Sequence, residues 1–166
     1  MSKNSSKSVA VADVDSLDEV ERWTEAVREC AARVGPAMGL PPCQVLAKLK
    51  LPPAGLTGVA IMLEGHKPHV MIGVLSNQLG RAAIARALFQ MEPDESPKPE
   101  DESDAVGELA NVISGHVKSV MCRVDASMRI GLPSIVSAES FQSRSQQITL
   151  RVCFGTVPAA LVVTLL

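Results

Sequence analysis

The sequence predicts an α+β domain in which long helices pack on a largely antiparallel sheet of about six strands. Three observations lead there. Helical and strand-like stretches follow one another as helix, three strands, two helices, three strands, a clustering that disfavours a doubly wound parallel sheet. Two pairs of apolar runs are joined by short turns rich in Gly and Pro, which is how hairpins read. Finally, 46% of the 166 residues are hydrophobic and 20% are charged, enough apolar surface for one core and too much for global disorder.

Residues 1–15 open with Ser, Lys and Asn and read as a flexible tail, leaving 16–166 as one domain. The first helix is expected from Ser16 to about Val34. Ser16 with Glu19 three residues on makes a capping box, Val20, Trp23, Val27 and Cys30 recur at helical spacing, and Gly35-Pro36 ends the run. Cys43 to Leu51 alternates, with Lys48 and Lys50 toward water, and reads as a half-buried strand. Thr57–Glu64 and His69–Leu75 form a hairpin across Gly65-His66-Lys67-Pro68. Ser76 is placed to cap a helix from Asn77 to about Met91, with Leu79, Ala83 and Ala87 inward. The stretch at 92–103, EPDESPKPEDES, holds three Pro and six acids and reads as a solvated loop. A long helix follows from Asp104 to Cys122, capped by Ser103 or Asp104. Strands are expected at Met128–Val136, Gln146–Phe154 and Ala159–Leu166, the last two as a hairpin across Gly155-Thr156-Val157-Pro158.

Composition removes several function classes. With 16 basic and 18 acidic residues the chain lacks the positive field of a nucleic-acid binder, and its aromatics, at 2%, cannot build a base-stacking platform. Four scattered cysteines without a C-x-x-C pair fit neither a disulfide framework nor a zinc site. No leader-like segment and no apolar run of membrane-spanning length is read, so a cytoplasmic protein is expected. His66 and His69 lack a third ligand and read as exposed turn residues. His116 reads as solvated, and Cys122 and Cys153 as small apolar core residues.

The Asp104–Cys122 helix carries the chemistry. At about 100° per residue, Val106, Leu109, Ala110, Ile113, Val117, Val120 and Met121 share an arc of roughly 120°, the buried face. Opposite them, Asp104, Glu108, Asn111 and Gly115 fall within about 60° of one another. Glu and Asn are ordinary on a solvated helix face. Asn and Gly, however, each disfavour a helix interior by ~0.5–1 kcal/mol, and Gly115 leaves a bare turn that another backbone can approach. An amide has no useful pKa but can hold and aim a water, which is what in-line attack on a phosphoryl group needs.

The stretch AVGELANVISGHVKSVM (Ala105–Met121) followed by MRIGLPSIVSAES (Met128–Ser140) resembles the CheC/CheX/FliY chemotaxis phosphatases, and CheX most closely. The family motif of Asp or Ser, Glu, Asn and a distant Pro falls on Asp104, Glu108, Asn111 and Pro133, with Gly115 as support. The resemblance implies a CheC-like fold and hydrolysis of the aspartyl phosphate of a CheY-like response regulator. It implies that Asn111 orients the attacking water and Glu108 pairs with the regulator's lysine. It also implies that Mg²⁺ comes with the regulator, so that the chain needs no cofactor of its own. A single Glu-x-x-Asn occurrence favours the one-site CheX type. A homodimer is expected, partly because the resemblance implies it and partly because the last two strands are apolar, carry few charges and offer a sheet edge to cover. The acidic 92–103 stretch departs from compact members. The alternative is a non-catalytic binding module of the same fold, like the flagellar switch middle domains, for which the intact Glu108/Asn111 pair has no use.

Overall fold

A computed structural model describes residues 7–66, 68–141 and 146–166, with side chains described from Asp18 onward. Helix α1 (Lys7–Ala37) leads into strands β1 (Cys43–Leu49), β2 (Thr57–Glu64) and β3 (Val70–Ser76). Helices α2 (Gln78–Leu88) and α3 (Pro99–Met121) follow. Strands β4 (Arg129–Ile130), β5 (Ser134–Ser137), β6 (Gln147–Phe154) and β7 (Val157–Leu165) complete the fold. The strands form one 7-stranded antiparallel sheet in the order β1-β6-β7-β3-β2-β4, with β5 also on β2. The expected α+β architecture is present with one more strand than predicted. The Met128–Val136 run splits around Gly131-Leu132-Pro133, and its halves pair with opposite ends of β2: Ile130 with Leu63, Ser134 with Ala60. Pro133 has no N–H for the ladder, and the Gly131 N–H instead reaches the Met62 carbonyl at 2.7 Å.

Alternation along the central strands explains the layering. Val59, Ile61 and Leu63 of β2, with Ile72 and Val74 of β3 and Leu161 and Val163 of β7, belong to the main core that the three helices cover. The intervening Ala60, Leu75, Ala160 and Val162 face a second cluster, closed by a 3₁₀ turn at Ala138–Phe141 that brings in Phe141. Strand β6 follows the predicted alternation: Ile148, Leu150, Val152 and Phe154 are in the main core.

Several boundaries differ from the sequence reading. Helix α1 starts at Lys7, so Ser16 lies inside it and is not its cap; residues 1–6 of the expected tail, and Lys67 of the expected turn, lie outside the described residues. Asn77, not Ser76, caps α2, its side chain accepting the Gly80 N–H at 2.8 Å. Ser76 instead donates to the Pro158 carbonyl. Leu79 is 81% exposed rather than inward, because α2 approaches the sheet at Gly80. A Cβ there would lie 2.0 Å from Ser76 Oγ and 2.8 Å from the Pro158 oxygen, which turns Leu79 outward. Helix α3 begins at Pro99, inside the stretch read as a loop. Proline suits the first helical turn, Glu100, Asp101 and Glu102 complement the helix dipole, and the Asp101 carboxylate accepts the Lys98 N–H at 3.0 Å. Buried Glu102 also meets Arg81 of α2, whose Nη1 donates to Thr57 Oγ1 at 2.7 Å, tying both helices to the start of β2. At the other end, Val120 is 45% exposed and Met121 half-buried, so the apolar stripe outruns the layer it packs on. Cys122 and Cys153 are only partly buried.

Leu109 is fully buried on α3 and Leu79 is largely exposed on α2. In denaturant titrations Leu109→Ala is expected to lose about 2–5 kcal/mol. Leu79→Ala is expected to stay within about 0.5 kcal/mol of the parent chain.

Candidate functional site

The buried face of α3, from Ala105 through Leu109 and Ile113 to Val117, fixes where its other face points. Asp104, Glu108 and Asn111 are exposed on that far side, as the helical wheel requires. They line a groove of about 640 Å³ whose opposite wall is the interrupted edge strand, with Leu132, Pro133 and Ile135. Four of the five residues singled out from the sequence therefore meet in one place: Asp104, Glu108, Asn111 and Pro133. Gly115 does not line the groove. A Cβ built there meets nothing within 4 Å, so that turn of the ridge is open. Glu108 also borders a second hollow of about 510 Å³, between the C-terminal ends of α1 and α2, which includes Met38 and Phe89. The carboxylate thus stands on a crest between two depressions.

Among the described residues no side-chain hydrogen bond or ion pair engages Asp104, Glu108 or Asn111. The groove lining carries two carboxylates and no basic side chain. It is therefore suited to a partner bearing a cation, while the free amide of Asn111 can hold a water. What the sequence reading missed is the apolar wall. Leu132 is 87% exposed and Ile135 82%, the two most exposed large apolar side chains among the described residues. The Gly-Leu-Pro punctuation in an otherwise strand-like run was the available signal, since it interrupts the ladder and frees the Leu132 side chain.

A second polar cluster lies elsewhere. Asp125 accepts the His66 N–H at 2.6 Å and the Ser127 hydroxyl at 2.6 Å, beside a hollow of about 300 Å³ that includes Trp23. These hydrogen bonds, that from the Ser127 hydroxyl foremost, hold the Asp125 carboxyl well below the usual carboxylate range. Ser127 and Asp125 both contact Nδ1 of His66. A nucleophile relay needs its acid and its hydroxyl on opposite ring nitrogens, so the cluster is a turn brace. His66 is exposed as expected, and His69 is partly buried. Among the described residues no three His, Cys, Asp or Glu side chains cluster as metal ligands, and no helix is long and apolar enough to cross a membrane.

A family model described as chemotaxis phosphatase CheX matches residues 58–154, from β2 to the end of β6 and including the whole groove, and the chain belongs to the CheX family. Among solved structures, the chemotaxis protein CheX from Vibrio vulnificus superposes with a TM-score of 0.71 at 13% identity, covering 87% of this chain and 99% of that one. The CheX–CheY–BeF₃–Mg²⁺ complex from Borrelia burgdorferi gives 0.61 at 14% identity, covering 90% and 98%. The FliM middle domain from H. pylori gives 0.56 at 12% identity, covering 92% and 91%. At these identities the likeness is one of fold. No curated protein sequence matches the chain.

Because a Cβ at position 115 meets nothing, Gly115→Ala is expected to stabilise the chain by about 0.5–1 kcal/mol through helix propensity alone. Equilibrium unfolding checks this, and a loss of stability would mean that the ridge is more closely packed than described.

Proposed function

We propose that the chain is a phosphatase for the aspartyl phosphate of a CheY-like receiver, acting in chemotaxis or a related two-component pathway in the cytoplasm. The observation that carries this reading is the exposure of Glu108 and Asn111, without side-chain partners among the described residues, in one groove with Pro133. Family membership and the fold shared with the CheX of a CheX–CheY complex support it.

In this reading the receiver docks over the α3 ridge and its lysine ammonium pairs with Glu108. Asn111 then reaches the phosphoryl group. Its carbonyl oxygen accepts a hydrogen bond from a water and holds the water oxygen in line with the bond between phosphorus and the aspartyl oxygen. The water oxygen bonds to phosphorus, the phosphorus–aspartyl oxygen bond breaks with its electron pair on the carboxylate, and the water's two protons leave with inorganic phosphate, one on the new P–OH and the other on a second phosphate oxygen or passed to solvent. Asn111 neither gains nor loses a proton; its contribution is position. A divalent ion brought by the receiver would offset charge on the phosphoryl oxygens, and no residue of this chain is needed to hold it.

The test is decay of phosphorylated receiver at excess phosphatase, across candidate receivers. Asn111→Ala is expected to lower the maximal rate at least ~10²-fold with docking nearly unchanged. Asn111→Asp is expected to lose affinity as well, because it sets a negative charge against an anionic phosphoryl group. Glu108→Ala is expected mainly to raise the receiver concentration at half-maximal rate, by about tenfold or more if docking desolvates the pair. Wild-type decay from Asn111→Ala would instead make the chain a binding module.

We also read the chain as a homodimer, now through β1 rather than the last two strands. Strands β6 and β7 lie inside the sheet, each paired on both sides, so they leave no edge to cover. Among the described residues strand β1 pairs only with β6, and it exposes Leu46 by 55%. Light scattering at micromolar concentration is expected to give twice 17.6 kDa; a monomer would refute the pairing.

A further inference from the structure

An exposed carboxylate–ammonium pair contributes little to binding, because water screens both charges, and it becomes decisive only when docking excludes that water. Glu108 alone therefore cannot hold a partner at working concentrations, and something beside it must dry the contact. The groove wall opposite Glu108 holds the two most exposed large apolar side chains among the described residues, Leu132 and Ile135, with Ile130 next to them. Leu132 stands out because the Gly131-Leu132-Pro133 break lifts it off the ladder with β2, whereas Ile135 stays paired with Val59 and is exposed on the short outer strand β5. Leu132 and Ile135 do not belong to either core cluster, so the fold itself has no evident use for them.

We infer that Leu132 and Ile135 form an apolar docking rim for the phosphorylated receiver, which seals the groove and so gives the Glu108 ion pair its strength. This rests on the phosphatase reading above. The occupant is a protein surface that brings a cation to Asp104 and Glu108 and an apolar patch to the rim, because the groove offers two acids and no base on one wall and uncovered hydrocarbon on the other. Binding strength then resides in the rim and Glu108, and rate in Asn111. Energetic anchors at interfaces have this form, a central polar contact ringed by groups that exclude water.

The experiment uses the full chain and the receiver that wild type dephosphorylates fastest, loaded with acetyl phosphate and Mg²⁺. The variants are Leu132→Ser, Ile135→Thr, their combination, Leu132→Met, and Leu79→Ser as an exposed control on α2. The combined rim variant is expected to raise the half-saturating receiver concentration about tenfold or more, with the maximal rate within about twofold of wild type. Leu79→Ser is expected to match wild type, and Leu132→Met to recover most of the affinity that Leu132→Ser loses. In a double-mutant cycle, the rise caused by Glu108→Gln should shrink at least about threefold once the rim is removed. An unchanged half-saturation, or a Glu108→Gln effect of the same size with and without the rim, overturns the inference and leaves the phosphatase reading standing. So does a rim variant that turns a dimer into a monomer without altering receiver saturation, since the rim would then join two copies. If wild type accelerates decay of no receiver, the phosphatase reading itself fails and takes the rim with it.

Discussion

One packing constraint governs the site: α3 must bury its apolar stripe against the sheet and the other two helices. Val106, Leu109, Ala110, Ile113 and Val117 are all fully buried, and a rigid helix cannot bury one face without presenting the other. Asp104, Glu108 and Asn111 need no contacts of their own to be held in place. Their positions derive from hydrophobic burial one half-turn away, and the side chains stay free to meet another molecule. The pair formed by Arg81 and Glu102 extends this control to the start of the helix, anchoring it to α2 and, through Thr57, to β2.

The second wall of the groove comes from a different device. Strand β2 is paired at both ends on its outer side but interrupted between, and the interruption lies across from the Glu108–Asn111 ridge. A continuous strand there would pair its backbone fully and alternate its side chains; the break turns Leu132 to solvent, beside Ile135, which is exposed on the outer strand although it stays paired with Val59. A helix ridge that carries charge and an amide thus faces a loop that carries hydrocarbon. That division suits a reaction in which docking and water placement are separate tasks.

Most of the fold was legible because its strands alternate and its turns are marked by Gly and Pro. The Glu–Asn ridge was legible because helical periodicity places Asp104, Glu108, Asn111 and Gly115 together whatever the tertiary structure does. The failures have physical causes. The run EPDESPKPEDES was read as loop by composition, yet its second half is a helix start, where proline and acids are favoured. Leu79 was assigned inward by periodicity, but the close approach at Gly80 set the register of α2. The edge expected at the last two strands lies inside the sheet, because strand order depends on pairings between distant segments that local pattern does not encode. The apolar wall escaped notice because exposure of a leucine is a tertiary property.

The central claim is that the groove between α3 and the broken edge strand is where a phosphorylated receiver presents its phosphoryl group. A crystal structure of this chain with a beryllofluoride-loaded receiver tests it most directly. The account predicts the Asn111 amide within hydrogen-bond reach of the in-line position opposite the aspartyl oxygen, with Glu108 on a receiver ammonium. A receiver seated on β1 or on α1, with Asn111 still facing bulk water, would contradict it.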